Sequence, residues 1–106
     1  MVIRRGEVWW AELPGPAGRR PVLVLSRNDA CDVRRYLTIA PLTTKVRDIP
    51  VEVALGMADG LPRACVVNLD SVATIARDRL KRRVATLHPA KVAEVNRALK
   101  FALAWP

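Results

Sequence analysis

The stretch that decides the fold is Arg20–Ser26, RPVLVLS. It is a near-continuous apolar run of strand length, which reads as a strand covered on both faces. The neighbouring stretches read as strands too. Upstream, EVWWAEL (7–13) is rich in aromatic and branched residues and stops at the breaker cluster PGPAG (14–18). Downstream, YLTIAPLT (36–43) forms a third strand; its Pro41 cannot donate to a ladder and is expected at an edge or a bulge. RNDACDVRR (27–35) between them reads as a loop or a short helical turn.

Further on, IPVEVAL (49–55) alternates as a half-buried strand does, with Ile49, Val51 and Val53 on one side. GMADGLP (56–62) is a turn region, and ACVVNLDSVATIA (64–76) holds one or two strands broken near Asp70 and Ser71. RDRLKRRVATL (77–87) begins as a basic surface segment and ends as a short strand. The period then changes. In HPAKVAEVNRALKFALAW (88–105), Val92, Val95, Leu99 and Leu103 share one helical face, and Pro89 fits the first turn. The expected fold is mainly β (α+β): five to seven short strands in a small bent sheet or barrel, with one C-terminal helix packed on it. One domain is expected over residues 1–106.

Eighteen basic residues oppose ten acidic ones in the 106-residue chain, a formal charge of +8, and fourteen of the eighteen are arginine. Guanidinium forks match phosphate geometry and stack on bases, so a polyanionic partner is expected. The plain alternative is a basic surface with no dedicated partner. Cys31 and Cys65 are too far apart for a metal knuckle and are expected reduced and packed as small hydrophobes. The single histidine, His88, rules out any mechanism needing two imidazoles in one subunit and sits where the helix begins. No apolar run approaches a membrane span, and the N-terminus lacks the apolar core of a signal peptide, so a cytoplasmic protein away from membranes is the expectation.

Few enzyme classes survive. There is no phosphate-binding P-loop, no nucleophile elbow, no zinc ligand set, and no obvious carboxylate pair for two metals. What remains must work with arginine, hydroxyl and backbone groups on a charged substrate. RNA cleavage without cofactor or metal is such a reaction, because the substrate carries its own nucleophile, the 2′-OH. The protein must then help remove that proton, stabilise charge on the five-coordinate phosphorus and protonate the leaving 5′-oxygen. A fixed guanidinium suits the second task.

Five segments in order resemble the MazF/PemK family of toxin endoribonucleases from bacterial toxin–antitoxin modules. They are RRGEVWWAELP (4–14), GRRPVLVLSR (18–27), APLTTKVRDIPVEVAL (40–55), VVNLDSVATIARDRL (66–80) and LHPAKVAEVNRAL (87–99). The resemblance implies an SH3-like small β-barrel of the CcdB/PemK type and a homodimer. It also implies metal-independent, sequence-specific cutting of single-stranded RNA to 2′,3′-cyclic phosphate and 5′-OH ends. The family's catalytic arginine before proline matches Arg20, and its threonine two residues after proline matches Thr43, with Thr44 as the competing candidate. A cognate antitoxin with an acidic, partly disordered segment is the implied partner, and DNA contact is implied only through that antitoxin. The first loop departs from the pattern: PGPAG is short and carries no glutamate.

Around that pair, Arg19, Thr44, Lys45, Arg77 and Arg79 are candidate RNA contacts. Trp9 and Trp10 are adjacent, so a strand points them to opposite faces. One belongs to the core; the other, taken as Trp10, either stacks a base or packs a dimer. The basic run from Arg77 to Arg83 is a solvated face, an RNA channel wall or an antitoxin dock. Asp70 reads as a turn aspartate that makes its own hydrogen bonds. Two other functions compete: a non-enzymatic, CcdB-like toxin that binds gyrase, and a basic nucleic-acid-binding barrel without turnover.

Overall fold

The computed structural model describes residues 1–106. Seven strands form: β1 (Glu7–Glu12), β2 (Arg19–Val24), β3 (Tyr36–Thr43), β4 (Glu52–Leu55), β5 (Cys65–Asn68), β6 (Ala73–Ala76) and β7 (Leu80–Thr86). Two helices accompany them, α1 (Asn28–Val33) and α2 (Pro89–Ala102). All pairings are antiparallel, in the order β4-β5-β3-β2-β1-β7, with β6 also on β3.

β3 is the strand on which the sheet bends. Its first half, Tyr36–Ile39, pairs with β6, and its last two residues, Leu42 and Thr43, pair with β5. The expected break near Asp70 and Ser71 is the gap between those two ladders. Ala40 and Pro41 lie in the gap, where a missing N–H on that edge breaks no pairing. Side-chain bonds from Asn68, not Asp70, build the turn: Asn68 Oδ1 accepts from the Asp70 N–H at 3.0 Å, and Asn68 Nδ2 donates to Ser71 Oγ at 3.1 Å.

The central strands bury both faces, as the apolar run at 20–26 implies. Leu23, Ala40 and Leu42 join Val8, Val53, Leu55, Val67, Val95 and others in one core cluster, beneath α2. Val22, Val24, Leu37 and Ile39 join Trp9, Ala11, Cys31, Ile75 and Leu80 in a second cluster on the opposite face. The two tryptophans separate accordingly: Trp9 is buried and Trp10 is half-exposed.

The end strands β4 and β7 do not pair, so hydrogen bonds leave the small barrel open. Packing draws these ends together. Gly60, beyond β4, has φ of 90°, and a Cβ there would meet the Ala85 Cβ of β7 at 3.1 Å. Only glycine serves that position without strain or crowding.

Several boundaries differ from expectation for local reasons. Residues 27–35 hold a true helical turn, α1, which buries Ala30 and Cys31. The 49–55 strand shrinks to 52–55 because Glu52 N–H closes a turn onto Ile49 C=O at 2.9 Å. β7 is longer than the short strand expected, because its seven residues pair along β1. α2 stops at Ala102, so Leu103 leaves the apolar stripe and is 59% exposed, beside the exposed Phe101 and Trp105. No helix is long and apolar enough to cross a membrane.

Candidate active site

The β2–β3 ladder sets the site. Val24 faces Ile39, Leu23 faces Ala40, and Val22 faces Pro41. The ladder ends at Val22 and Pro41, beyond which Arg20 pairs with Ala11 of β1 and Thr43 with Val66 of β5, so the two residues lie two positions past the last shared pair, at the same end of β2 and β3. Alternation agrees. Arg20 shares its face of β2 with Val22 and Val24, and Thr43 shares its face of β3 with Ile39 and Pro41.

Each group is held by one bond and left free elsewhere. Arg20 Nε donates to Ala17 C=O at 3.2 Å, which ties the guanidinium to the loop before β2. Its two terminal nitrogens have no partner in the chain. Thr43 Oγ1 accepts from the Lys45 N–H at 3.1 Å, so its own hydroxyl proton remains available to a ligand. Thr44 is exposed and lacks this anchor.

Two cavities flank the pair and share no lining residue. One, of about 390 Å³, is lined by Arg20, Pro41, Ser71, Thr74 and neighbouring apolar residues. The other, of about 230 Å³, is lined by Thr43, Thr44, Trp10, Pro21, Arg63, Cys65 and three further residues. Burial, and then the Asp59 carboxylate, pushes the Cys65 thiol up from its ordinary value, so this wall is uncharged at neutral pH.

The other expected contacts are distributed as follows. Arg19 lies over the Trp10 ring at 5.9 Å and pairs with Glu12 at 3.7 Å. Lys45 is exposed beside Thr43. Arg79 donates to Glu12 C=O at 3.3 Å, and Lys81 reaches the Glu12 carboxylate at 3.6 Å. Arg77 is turned away from this group: its guanidinium donates to Arg34 C=O at 2.9 Å and ties the end of α1 to the segment after β6.

A family model described as the PemK-like, MazF-like toxin of type II toxin–antitoxin systems matches residues 4–103. The chain belongs to that family. A probable endoribonuclease MazF5 of Mycobacterium tuberculosis is 41% identical over 100 residues, covering 93% of this chain and 91% of the relative. Among solved structures, the Mycobacterium tuberculosis toxin MazF-mt6 superposes with a TM-score of 0.87 at 29% identity, covering 94% of this chain and 98% of its own. A mycobacterial endoribonuclease in complex with its cognate antitoxin gives 0.87 at 33% identity, covering 98% and 97%.

Within this MazF-family fold the structure adds residues that sequence reasoning passed over. Arg63 lines the Thr43 cavity, is exposed, and makes no hydrogen bond or ion pair. Arg82, already named within the basic run from Arg77 to Arg83, is the β7 residue opposite Trp10. Ser71 and Thr74 line the Arg20 cavity. An arginine inside a turn-rich stretch carries no periodic signal, and only the fold brings residue 63 beside residue 43.

Proposed function

We propose that Arg20 and Thr43 form the catalytic pair of this toxin endoribonuclease and that it cuts single-stranded RNA at chosen sequences. The observation that supports the reading is that β2 and β3 pair up to Val22 and Pro41, which brings a guanidinium with free terminal nitrogens and a hydroxyl with a free proton to the same end of the two strands. A phosphodiester seated between them would receive the two terminal guanidinium nitrogens on its non-bridging oxygens and a hydrogen bond from the Thr43 hydroxyl. The neighbouring ribose 2′-OH gives its proton to solvent water and attacks the adjacent phosphorus, as the bond to the 5′-oxygen breaks and that oxygen takes a proton from solvent. Charge builds on the phosphoryl oxygens in the transition state, where the fixed guanidinium is worth most. The products are a 2′,3′-cyclic phosphate and a 5′-OH, with no metal in the scheme.

Arginine stays protonated throughout, so Arg20 stabilises charge rather than accepting the 2′-OH proton. Thr43 orients the phosphate. Arg19, Lys45, Arg79 and Lys81 supply positive charge along the approach, which favours a single strand over a neutral partner.

The same exposed cations suit an antitoxin whose acidic, partly disordered segment orders on binding. Solved relatives titled as MazE–MazF assemblies from Deinococcus radiodurans support that partnership. Any DNA contact runs through the antitoxin. The exposed Phe101, Leu103 and Trp105 offer apolar surface for a homodimer, and the cytoplasm is the compartment that suits this activity.

The test is a long RNA incubated with purified protein in chelator, with every new end mapped and its chemistry identified. Discrete cuts carrying cyclic-phosphate ends, lost in Arg20→Ala with the circular dichroism spectrum unchanged, are the expected result. Intact RNA with gyrase inhibition, or salt-sensitive binding without cuts, would replace this reading with one of its two competitors.

A further inference from the structure

The 230 Å³ cavity beside Thr43 is smaller than a drug-sized pocket, which runs to roughly 300–1,000 Å³. Trp10, Pro21, Leu42, Leu61, Pro62 and Cys65 give it largely apolar walls. Such a slot does not suit a phosphate or a sugar. It does suit an unstacked base, because single-stranded RNA is held by laying bases against aromatic and flat apolar surfaces. The Trp10 ring is braced by Arg19 at 5.9 Å and neighboured across the β1–β7 ladder by Arg82. Cations therefore stand on both neighbouring strands, where the phosphates on either side of a buried base would pass.

Besides the hydroxyls of Thr43 and Thr44, the wall carries one charged group, Arg63, exposed and without a partner in the chain. A planar fork of N–H donors at the edge of a base slot selects for two adjacent acceptors. Guanine presents such a pair in O6 and N7, and an unpaired cytosine presents one in N3 and O2; of the two, guanine O6/N7 is the commonest specific partner of arginine. We propose that this cavity receives one unstacked base of the RNA substrate and that Arg63 reads it as guanine. The inference rests on the assignment of Arg20 and Thr43, since Thr43 lines the edge of the slot and links it to the candidate catalytic pair.

The experiment reads binding, so that it stands apart from catalysis. A randomised pool of short single-stranded RNA is bound to the Arg20→Ala protein, and the retained fraction is sequenced. Guanine is expected to be enriched at one position. In the enriched oligonucleotide, replacing that guanine by 7-deazaguanine removes N7 and is expected to weaken binding by about tenfold. With Arg63→Lys in the same background the charge stays and the fork is lost, so the same replacement should then change binding by less than about twofold. Absence of guanine enrichment, or a deaza penalty that persists undiminished in Arg63→Lys, would overturn the proposal. Failure of the catalytic assignment would show differently: RNA cutting by the Arg20-intact protein would not respond to Arg20→Ala, whatever base is bound.

Discussion

Two groups of arginines in this molecule are treated in opposite ways. At the β1–β7 edge, charge is neutralised. Glu7 is 5% exposed; its Oε1 accepts from the Arg4 N–H at 2.7 Å and from Trp9 Nε1 at 3.0 Å, and its Oε2 pairs with Arg83 at 3.3 Å. In the 44–52 loop, Glu52 likewise gathers the Arg47 and Asp48 N–H groups and the Arg47 side chain. Around the candidate site the pattern differs: Arg20 on β2, Arg63 after β4 and Arg82 on β7 have no acidic partner, while Arg19 between them pairs with Glu12. Paired cations hold the fold. With eighteen cations to ten carboxylates most cations stay unpaired, and those beside the two cavities, Arg20 and Arg63, are the ones placed to meet a foreign anion.

The strongest way to break this contrast is Arg20→Ala. Loss of one preorganised donor to a developing oxyanion costs roughly 10²–10³-fold in rate. Single-turnover cleavage should fall by at least that much while the thermal midpoint barely moves, because an unpaired surface charge contributes within about 0.5 kcal/mol. The converse change is Glu7→Ala. It strips three donors of their buried acceptor and should cost about 2–3 kcal/mol of stability, visible as a thermal midpoint lower by roughly 10 °C or more. Cleavage per folded molecule should survive. If Glu7→Ala instead abolished cutting in fully folded protein, the division between structural and functional charge would be wrong.

A subtler probe uses pH. Burial works to raise the Glu52 carboxyl, but hydrogen bonds from Arg47 and Asp48 outweigh it and hold the group below the usual carboxylate range. A carboxylate depressed on folding stabilises above its ordinary pKa, near 4.3 for a glutamate, and loses that contribution as pH falls through the folded value. The Arg47 and Asp48 amide resonances should therefore titrate together, with a midpoint below that of an ordinary glutamate. The smallest expected effect is Asp32→Asn. Its ion pair with Arg4 at 2.9 Å is solvent-exposed, so stability should change by less than about 1 kcal/mol.

Much of this was legible before any coordinates. Tyr36–Thr43 has the same bounds as a strand in sequence and in structure, because its branched and aromatic residues end at the polar TTK run. The period of α2 located its core side through Val92, Val95 and Leu99, though not the buried Ala98 or the helix end. Leu103 continued the stripe by spacing, yet the chain leaves the helix one residue earlier and reaches Ala104 with φ of 52°. The switch of β3 from β6 to β5 was hidden, since a change of partner leaves no mark on the strand's own alternation. In the site, Arg20 and Thr43 were nameable from the motifs that resemble the family. Arg63, Ser71 and Thr74 were not, because their importance comes from long-range pairing that sets unrelated turns beside those two residues.

The central claim is that Arg20 and Thr43 act on one phosphate, and a double-mutant cycle tests it most directly. Single-turnover rates would be measured for the unmutated protein, Arg20→Ala, Thr43→Val and the double variant on one short RNA. Groups that serve the same transition state lose rate non-additively, so the double variant should be little slower than Arg20→Ala alone. Losses that multiply in full would mean that the two residues work independently, and the shared site inferred from the β2–β3 register would be contradicted.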